Sequence, residues 1–220
     1  MPTAYVVLLV SNLIFATGYS ISRIVLEDIS PVTLAMVRLA IGSLILVPWA
    51  WSGMRAAKLS REDHWRLALT GVVGFTLAFA LGNWGLAHST ASNAALLITV
   101  EPASLILLSP LLLGERLSRR ESLGAALAIL GAAVIVVNGI PGVTLALAPH
   151  WRGDLVLILS GVAYAAYSLI ARPVLLRQPA LVVTAYSVVW GAVAMLPFAV
   201  LEWATGSAPG WTPRALMGAL

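Results

Sequence analysis

Residues 91–124, ASNAALLITVEPASLILLSPLLLGERLSRRESLG, decide the fold. A long apolar run is interrupted near its middle by Glu101-Pro102 and ends in an arginine-rich segment. About twenty helical residues, each rising 1.5 Å, cross the roughly 30 Å hydrocarbon core of a bilayer. A charged side chain at the centre of such a helix costs roughly 2.5–3.5 kcal/mol on insertion scales and is usually retained for function. The stretch therefore predicts a membrane-spanning helix that carries a functional carboxyl group.

The composition extends this prediction to the whole chain. Of its 220 residues, 60% are hydrophobic and 10% are charged, whereas soluble domains carry about 25% charged residues. We therefore predict an all-α polytopic membrane helix bundle. The predicted spans are 4–24, 32–51, 66–87, 91–113, 121–139, 154–172 and 180–201. Residues 213–220 resemble the first turns of an eighth helix, so we expect the chain to be truncated there.

The positive charges predict the orientation. Most of the 13 Lys and Arg residues fall in or beside the loops after the second, fourth and sixth spans. They are Arg55, Lys58, Arg61, Arg66, Arg116, Arg119, Arg120, Arg172 and Arg177. Because cytoplasmic loops carry the excess of Lys and Arg, we predict a cytoplasmic N-terminus in a bacterial inner membrane. The first span lacks the basic region of a cleaved signal peptide, which favours a retained helix.

The first and sixth spans are weakly alike, which bears on the architecture. Residues 9–23 read LVSNLIFATGYSISR and residues 157–172 read LILSGVAYAAYSLIAR, so both contain a serine, a Tyr-Ser pair and a terminal arginine. An interval of five spans inverts the second copy in the membrane, because the interval is odd. Inverted repeats of this kind are typical of secondary transporters.

Four segments resemble one known family. They are Ile29-Ser30-Pro31 followed by Arg38, residues 95–113 with Glu101-Pro102, Gly114-Glu115-Arg116-Leu117, and residues 124–137. In these segments the chain is similar to the drug/metabolite transporter superfamily, in its ten-helix EamA-type branch. The resemblance implies two five-helix inverted repeats around a central cavity and the export of small metabolites such as amino acids or amphiphilic drugs. Residues 1–140 would form the first repeat and residues 150–220 the start of the second, which ends before its last three helices.

Polar side chains fall on one face of each of four spans when residues are placed 100° apart. Because polar stripes are unfavourable against lipid, we expect them to face each other across a substrate cavity. The residues predicted to line it are Asn12, Tyr19, Thr76, Asn83, Trp84, Asn93, Glu101, Ser104, Ser160, Tyr164, Tyr167 and Ser168. For Asn12, Thr76 and Asn83, hydrogen bonds between helices are an equal alternative. Pro102 removes a backbone hydrogen bond and is predicted to act as a bend or hinge.

Glu101 has two alternative roles. Arg38 enters the second span at a depth of roughly 10 Å and Glu101 enters the fourth at roughly 15 Å, so the two side chains are candidates for an ion pair. A paired carboxylate would be structural, since breaking a buried pair leaves one charge without a partner. An unpaired carboxyl group would be able to carry a proton. The sequence leaves both alternatives open.

Small residues and tryptophans have structural interpretations. Gly71, Gly74, Gly124 and Gly131 belong to small-residue faces that suit close helix packing. Tryptophans at span ends, such as Trp203, are interpreted as anchors at the membrane interface.

Other functional classes lack their characteristic residues. The chain has no cysteine, its three histidines lie at span ends, and no phosphate-binding glycine loop is present. We therefore predict no enzyme, metal site or cofactor, and the basic residues mark membrane topology rather than nucleic-acid binding. The predicted function is a permease that exports a small metabolite by alternating access, with proton coupling and simple exchange both open. The alternative is a noncatalytic membrane scaffold or a half-transporter subunit that needs a partner chain.

Overall fold

The computed structural model describes residues 5–6, 17–138, 150–205, 212–213 and 218. Within these ranges the regular secondary structure is helical, without a strand. The helices are α1 (17–25), α2 (Pro31–Ala56), α3 (Arg61–Thr70), α4 (Ala78–Ala87), α5 (Ala91–Leu97), α6 (Val100–Leu113), α7 (Arg119–Asn138), α8 (Trp151–Leu175) and α9 (Ala180–Ala204). A π-helical segment (Gly71–Leu77) joins α3 to α4.

Among the described residues, six helical segments are long and apolar enough to cross a membrane. They are Pro31–Ala56, Arg61–Ala87, Ala91–Leu113, Arg119–Asn138, Trp151–Leu175 and Ala180–Ala204. These segments coincide with the second to seventh predicted spans, and the predicted all-α polytopic bundle is confirmed. Most of span 4–24 and most of residues 213–220 lie outside the described residues. The chain is a multi-pass membrane protein.

Local sequence signals fix where several helices begin and end. The Ser30 hydroxyl caps α2 by accepting a hydrogen bond from the Thr33 backbone amide at 3.1 Å. Pro31 follows in the first turn, where the missing N–H of proline costs little. Ser60 and Asp63 form a capping box at the start of α3. At the end of α6, Gly114 has φ = 68°, a left-handed conformation that other residues disfavour.

The fourth span is broken where Pro102 predicts a bend. α5 ends at Leu97 and α6 begins at Val100. Proline has no N–H to donate, and its ring clashes with the carbonyl four residues earlier, which here belongs to Ile98. The Glu101 amide bonds that carbonyl at 3.1 Å in a tighter turn. The break thus places Glu101 in the first turn of α6.

α8 lies at the centre of the described bundle. It packs against every described helix from α3 to α9 and against the π-helical segment, while α9 packs mainly against α2 and that segment. Glycines permit this close approach. A Cβ at Gly74 would lie 2.5 Å from the Tyr167 ring, and one at Gly85 would lie 2.9 Å from the Gly153 carbonyl oxygen. Both distances are shorter than van der Waals contact, so a larger residue would push α8 away.

α7 contributes least to the packed interior. Only 17% of its most apolar stretch is buried, the smallest share among the six membrane-spanning segments of the described chain. A Cβ at Gly124 or Gly131 would meet no described residue within 4 Å, so the packing predicted for these two glycines is not seen among the described residues. Apolar side chains on the outer surface of α7, such as Leu127, Leu130 and Val134, are also exposed. This helix therefore presents an apolar surface suited to lipid or to another helix.

The loops define two ends of the bundle. The basic end holds the loops after α2, α6 and α8, and the opposite end holds those that precede α2 and α5 together with the start of α8. At the basic end, Arg177 Nη2 lies 2.6 Å from Asp63 Oδ1, and Arg172 Nη1 lies 2.5 Å from Glu115 Oε1. These contacts bring the three arginine-rich loops together at one end, as the alternation of spans predicts.

Candidate functional site

Glu101 is an acid at membrane depth without a counter-ion among the described residues. It lies ten residues after Ala91, about 15 Å from the start of its span. α6 comes close to α8 here, since a Cβ at Gly161 would lie 3.5 Å from the Glu101 amide nitrogen. The side chain is half-buried and makes no hydrogen bond or ion pair within the part of the chain that the structure describes. Its charge is therefore available to a ligand.

Three of the predicted cavity tyrosines lie near Glu101. Tyr19 packs against the apolar cluster that contains Val100, and Tyr164 and Tyr167 lie one turn apart on α8. Glu101 directly follows Val100, and Gly161, which the Glu101 backbone approaches, precedes Tyr164 by one turn of α8. The structure thus brings four predicted residues together from three spans, and we call Tyr19, Glu101, Tyr164 and Tyr167 the tyrosine cluster.

Phenylalanines from the third span hold two of these rings. The Tyr167 ring centroid lies 5.3 Å from that of Phe75, with an interplanar angle of 78°. The Tyr164 ring lies 6.0 Å from that of Phe79 at 57°. Edge-to-face and tilted arrangements are favoured by the aromatic quadrupole, so these contacts orient the tyrosines. The tyrosine cluster therefore combines hydroxyl groups with a large aromatic surface.

Arg38 lies near the tyrosine cluster but bonds a serine instead of Glu101. Its Nη2 donates to Ser22 Oγ at 2.9 Å, and the Ser22 hydroxyl donates to the Gly18 carbonyl at 2.5 Å. Ser22 lies one turn beyond Tyr19 on α1. The ion pair between Arg38 and Glu101 that their depths allow is not formed among the described residues, because the guanidinium reaches α1 instead.

Four other predicted cavity residues donate hydrogen bonds to backbone carbonyls. The pairs are Thr76 with Gly191 at 2.9 Å, Asn83 with Pro31 at 3.0 Å, Ser160 with Ala78 at 2.9 Å and Ser168 with Tyr164 at 3.1 Å. The first three join different spans, whereas the bond of Ser168 stays within α8. These bonds fit the alternative in which Thr76 and Asn83 join helices.

The remaining predicted residues that the structure describes, Ser104 and Trp84, lie on different helices. Ser104 is buried one turn beyond Glu101 on α6. Trp84 stacks on His88 near the opposite end, with ring centroids 4.0 Å apart. Asn12 lies outside the described residues.

A buried carboxylate near the opposite end was not predicted. Asp154 is 0% exposed and accepts hydrogen bonds from the Asn93 amide at 3.1 and 3.2 Å and from the Ser89 hydroxyl. His150 Nδ1 lies 2.8 Å from the same carboxylate. Asn93, predicted to line the cavity, thus joins α5 to α8. In the sequence, the only local sign of this network is the spacing of four residues between His150 and Asp154, which places them on one helical face.

A second unpredicted network joins α2 to α9 at the same end. The Glu202 carboxylate accepts from the Ser30 hydroxyl at 2.5 Å and from the Thr33 hydroxyl at 3.1 Å. The indole of Trp203, which was interpreted as an interfacial anchor, donates to Thr33 Oγ1 at 2.9 Å. No spacing in the sequence indicates this network, because the bonded residues are about 170 positions apart in the chain.

A pocket of about 370 Å³ opens at the opposite end of the bundle. Its lining combines two arginines, two histidines and two hydroxyl groups, from Arg23, Ala87, His88, Ser89, Thr90, His150 and Arg152. Arg23 lies one turn beyond Tyr19 on α1. One lining residue is therefore one turn of α1 away from the tyrosine cluster, and the basic lining of the pocket favours anionic groups.

The sequence model of the EamA-like transporter family matches residues 2–137, which is more than half of the chain. The chain belongs to the EamA-like transporter family. This EamA family chain is 32% identical over 184 residues to a protein of Streptantibioticus cattleyicolor named "Probable terminal-alkyne amino-acid exporter". That match covers 83% of this chain and 59% of the relative.

Other relatives and one solved structure extend the comparison. The chain is 28% identical over 200 residues to an "Uncharacterized transporter" of Archaeoglobus fulgidus, covering 90% of this chain and 67% of that protein. The EamA chain thus spans about 59 to 67% of the length of these two curated relatives. A solved structure titled "Crystal structure of protein" aligns with a TM-score of 0.59 and 20% identity, over 93% of this chain and 69% of that one. At that identity the likeness concerns the fold alone.

Proposed function

We propose that this EamA family member is a nonenzymatic permease that exports small metabolites, most readily amino acids or amphiphilic compounds, by alternating access. The observation that carries the proposal is Glu101, a carboxyl group at membrane depth that lies among three tyrosines without a counter-ion in the described chain. A charge in this setting is costly, so its retention is best explained by a ligand or ion that it binds.

The surroundings of Glu101 suit an amphiphilic ligand. The hydroxyl groups of Tyr19, Tyr164 and Tyr167 can hydrogen-bond polar groups, whereas their rings and those of Phe75 and Phe79 offer apolar contact. Small-molecule sites usually combine a few convergent polar groups with such apolar walls. The name of the Streptantibioticus relative, a probable amino-acid exporter, supports amino acids as the substrate class.

Two features of the fold support alternating access. The break between Leu97 and Val100 lets α5, at the opposite end, change its angle to α6 without bending a continuous helix. We assign this hinge role to Pro102. The basic pocket beside Arg23 is suited to receive a ligand that leaves the tyrosine cluster toward the opposite end.

We also propose the membrane placement of the protein. The basic end faces the cytoplasm of a bacterial inner membrane, and the N-terminus lies on the same side, because Lys and Arg are retained in cytoplasmic loops. Residues 1–140 and 150–220 form the first repeat and the start of the second. The match of the family to residues 2–137 supports the first of these bounds.

Energy coupling has two forms in this proposal. Glu101 either carries a proton in exchange for substrate or binds substrate alone in simple exchange. Net flux of labelled substrate, measured with and without an imposed pH gradient, distinguishes them. Proton coupling requires that an imposed gradient accelerate net flux, whereas simple exchange is unaffected by it.

A scaffold or half-transporter subunit is the second candidate. The observation that favours it is the outward surface of α7, where Gly124 and Gly131 contact nothing in the described chain and leave room for another helix. Such a subunit would need a partner chain to complete the cavity, so transport would depend on that partner.

Substitution of Glu101 tests the permease proposal. The full-length protein and its Glu101→Gln variant are reconstituted in vesicles, and efflux of a panel of radiolabelled amino acids is measured. Glu101→Gln should abolish efflux while the protein stays folded in the membrane. Glu115→Gln is the matched control, since Glu115 is a half-exposed acid at the basic end of the same span. Unchanged efflux in Glu101→Gln would refute the role assigned to the carboxylate.

A further inference from the structure

Two arginines at the opposite end lack an ion-pair partner in the described chain. Arg23 and Arg152 line the pocket of about 370 Å³ that lies between the ends of α1 and α4 and the start of α8. Neither lies within 4 Å of an acidic group among the described residues. The described lining also contains no acidic side chain. The pocket thus holds two positive charges that an anionic ligand can neutralise.

The buried acid beside the pocket is already bonded. Asp154 lies behind the lining, since two lining residues, Ser89 and His150, contact its carboxylate. The Asn93 amide donates to both carboxylate oxygens, at 3.1 and 3.2 Å. These contacts use the acceptor positions of the carboxylate. Asp154 therefore offsets part of the arginine charge but offers no free acceptor to a cationic group.

The pocket lies at the level of lipid headgroups. α4 ends at Ala87 and α8 begins at Trp151, so the lining belongs to the ends of spans rather than to membrane depth. Trp84 stacks on His88, and Arg152 Cζ lies 5.4 Å from the ring centroid of Trp151. Tryptophan is enriched where a membrane meets water. The two indole rings therefore mark the interface beside the pocket.

An apolar surface continues from the pocket toward the membrane centre. Leu155 and Leu159 follow Arg152 by three and seven residues on α8, which places all three on one helical face. The two leucines are 42% and 55% exposed. A phosphate bound by Arg152 would thus have an exposed apolar stripe beside it, suited to acyl chains. A free phosphate ion would make no use of that stripe.

We propose that this pocket binds the phosphate of an anionic phospholipid, with Arg23 and Arg152 as its two charged donors. The inference goes beyond the proposed transport function and does not depend on it. A guanidinium presents a planar fork that binds two oxygens of a phosphate. The Thr90 hydroxyl accepts from the Asn93 amide at 3.0 Å and keeps its own proton for a further hydrogen bond. The pocket volume falls within the range of about 300–1,000 Å³ that is typical of small-molecule sites.

The charge of the lining favours an anionic headgroup over a zwitterionic one. Beyond its phosphate, phosphatidylglycerol adds only hydroxyl groups, whereas phosphatidylethanolamine adds an ammonium group. The two arginines repel that ammonium, and Asp154 has no free acceptor for it. We expect phosphatidylglycerol to bind roughly tenfold more tightly. A substrate that leaves through this pocket would have to displace the lipid phosphate, so the two would bind in turn.

Protection of a single thiol in the full chain tests the site. Because the chain has no cysteine, the Ala87→Cys variant carries one thiol in the pocket lining. Its rate of alkylation by the uncharged reagent N-ethylmaleimide is measured in detergent with and without phosphatidylglycerol. At a lipid concentration about ten times the Kd, mass action predicts roughly tenfold slower alkylation. Ala57→Cys is the matched control, since Ala57 is a half-buried alanine at the end of a span at the basic end, and its rate should stay near the lipid-free value.

Three further probes identify the part of the lipid that is bound. Diacylglycerol has the same acyl chains without a phosphate, inorganic phosphate has no acyl chains, and phosphatidylethanolamine adds the ammonium group. Each should protect the thiol of Ala87→Cys with an affinity roughly tenfold or more below that of phosphatidylglycerol. Equal protection by diacylglycerol would reduce the site to an apolar contact, and equal protection by inorganic phosphate would make it a free-phosphate site. Equal protection by phosphatidylethanolamine would remove the selectivity for anionic lipid, so each of these results overturns the proposal.

Arginine variants assign the contact to its residues. In the Ala87→Cys background, Arg23→Gln and Arg152→Gln should each weaken the affinity for phosphatidylglycerol roughly 10- to 100-fold, because each removes a charge-assisted contact. Arg55→Gln is the matched control and should leave the affinity unchanged. Arg55 also stacks on a tryptophan, 4.6 Å from the ring centroid of Trp51, but lies at the basic end. Arg23→Lys and Arg152→Lys keep the charge, should retain part of the affinity, and replace the glutamine variants if those do not fold.

The outcomes separate this inference from the proposed transport function. Alkylation measures binding without transport, so protection of Ala87→Cys in a protein that exports nothing would support the lipid site while the permease proposal fails. Unchanged affinity in both arginine variants would overturn the lipid site while export stands. Equal protection of Ala57→Cys and Ala87→Cys would also overturn it, because the lipid would then shield both ends of the bundle without a specific pocket.

Discussion

The two ends of the bundle are held by different kinds of polar contact. At the opposite end, Asp154 is fully buried, and Glu202 is half-buried between hydroxyl groups of α2. At the basic end the arginines of the ion pairs are about half exposed, with side-chain exposures of 48% for Arg172 and 56% for Arg177. Exposed pairs contribute about 0–1 kcal/mol, whereas removing one partner of a buried charged network costs about 3–5 kcal/mol.

The difference in burial determines which end of the bundle opens more easily. Water can replace the partners of the half-exposed arginines during opening, so separation there costs little. The buried carboxylate oxygens of Asp154 would have to be rehydrated or left without hydrogen-bond donors, which costs more. We therefore expect the structure to open first at the basic end.

Asp154→Ala should produce the largest loss of stability. The change leaves the buried Ser89 hydroxyl, the Asn93 amide and His150 without their shared acceptor, and we expect a loss of about 3 kcal/mol or more. Thermal unfolding of the purified protein in detergent measures it. The control is Glu62→Ala, which removes an exposed pair within one helix and should cost about 0.5 kcal/mol or less. Equal losses would mean that the two ends do not differ as proposed.

Glu202→Ala should have the second-largest effect. Two hydroxyl donors, Ser30 and Thr33, lose a charged acceptor, and hydrogen bonds to charged groups contribute about 1.5–3 kcal/mol each before relaxation. Because Glu202 is only half-buried, we expect a total near about 2 kcal/mol and weaker contact between α2 and α9. Hydrogen exchange at the start of α2 reports that contact. Glu27→Ala, an exposed acid near the same end, should leave both readouts unchanged.

Pro102→Ala should reduce transport rather than stability. Alanine can donate an amide to the Ile98 carbonyl and would extend α6 toward α5, so the two halves of the span would move together. We expect roughly tenfold slower efflux, equivalent to about 1.4 kcal/mol, with unchanged substrate binding. Pro110→Ala, deeper in α6, is the control for a general proline effect and should leave efflux near wild type. Faster efflux from the Pro102 variant would contradict a hinge at this position.

Much of this fold could be predicted from local sequence, because membrane helices are set by length and apolarity alone. The second to seventh spans coincide with helices, and Pro102 marks a real break because proline disrupts the backbone of its own helix. The tyrosine cluster was predictable in part. Residues on one helical face point in one direction, and polar faces of several spans tend to meet.

The contacts between distant segments could not be predicted in the same way. Glu202 meets Ser30 across 172 positions, and no local pattern encodes which helix becomes a neighbour. Arg38 and Glu101 have compatible depths, yet depth does not fix the rotation of α2, so the partner of Arg38 is Ser22. Gly124 likewise has the composition of a packing face but faces outward, since composition alone does not identify a partner.

The smallest predicted effect concerns the pair of Arg172 and Glu115 at the basic end. Because both side chains are about half exposed, solvent screens their attraction, and the coupling energy in a double-mutant cycle should be about 1 kcal/mol or less. The cycle compares Arg172→Gln, Glu115→Gln and the double variant by thermal unfolding in low and high salt. Salt should remove most of the coupling, since exposed charges are screened over about 10 Å at 0.1 M. A coupling above about 3 kcal/mol that persists in high salt would mean that this pair is a buried latch. The basic end would then open no more easily than the end that holds Asp154.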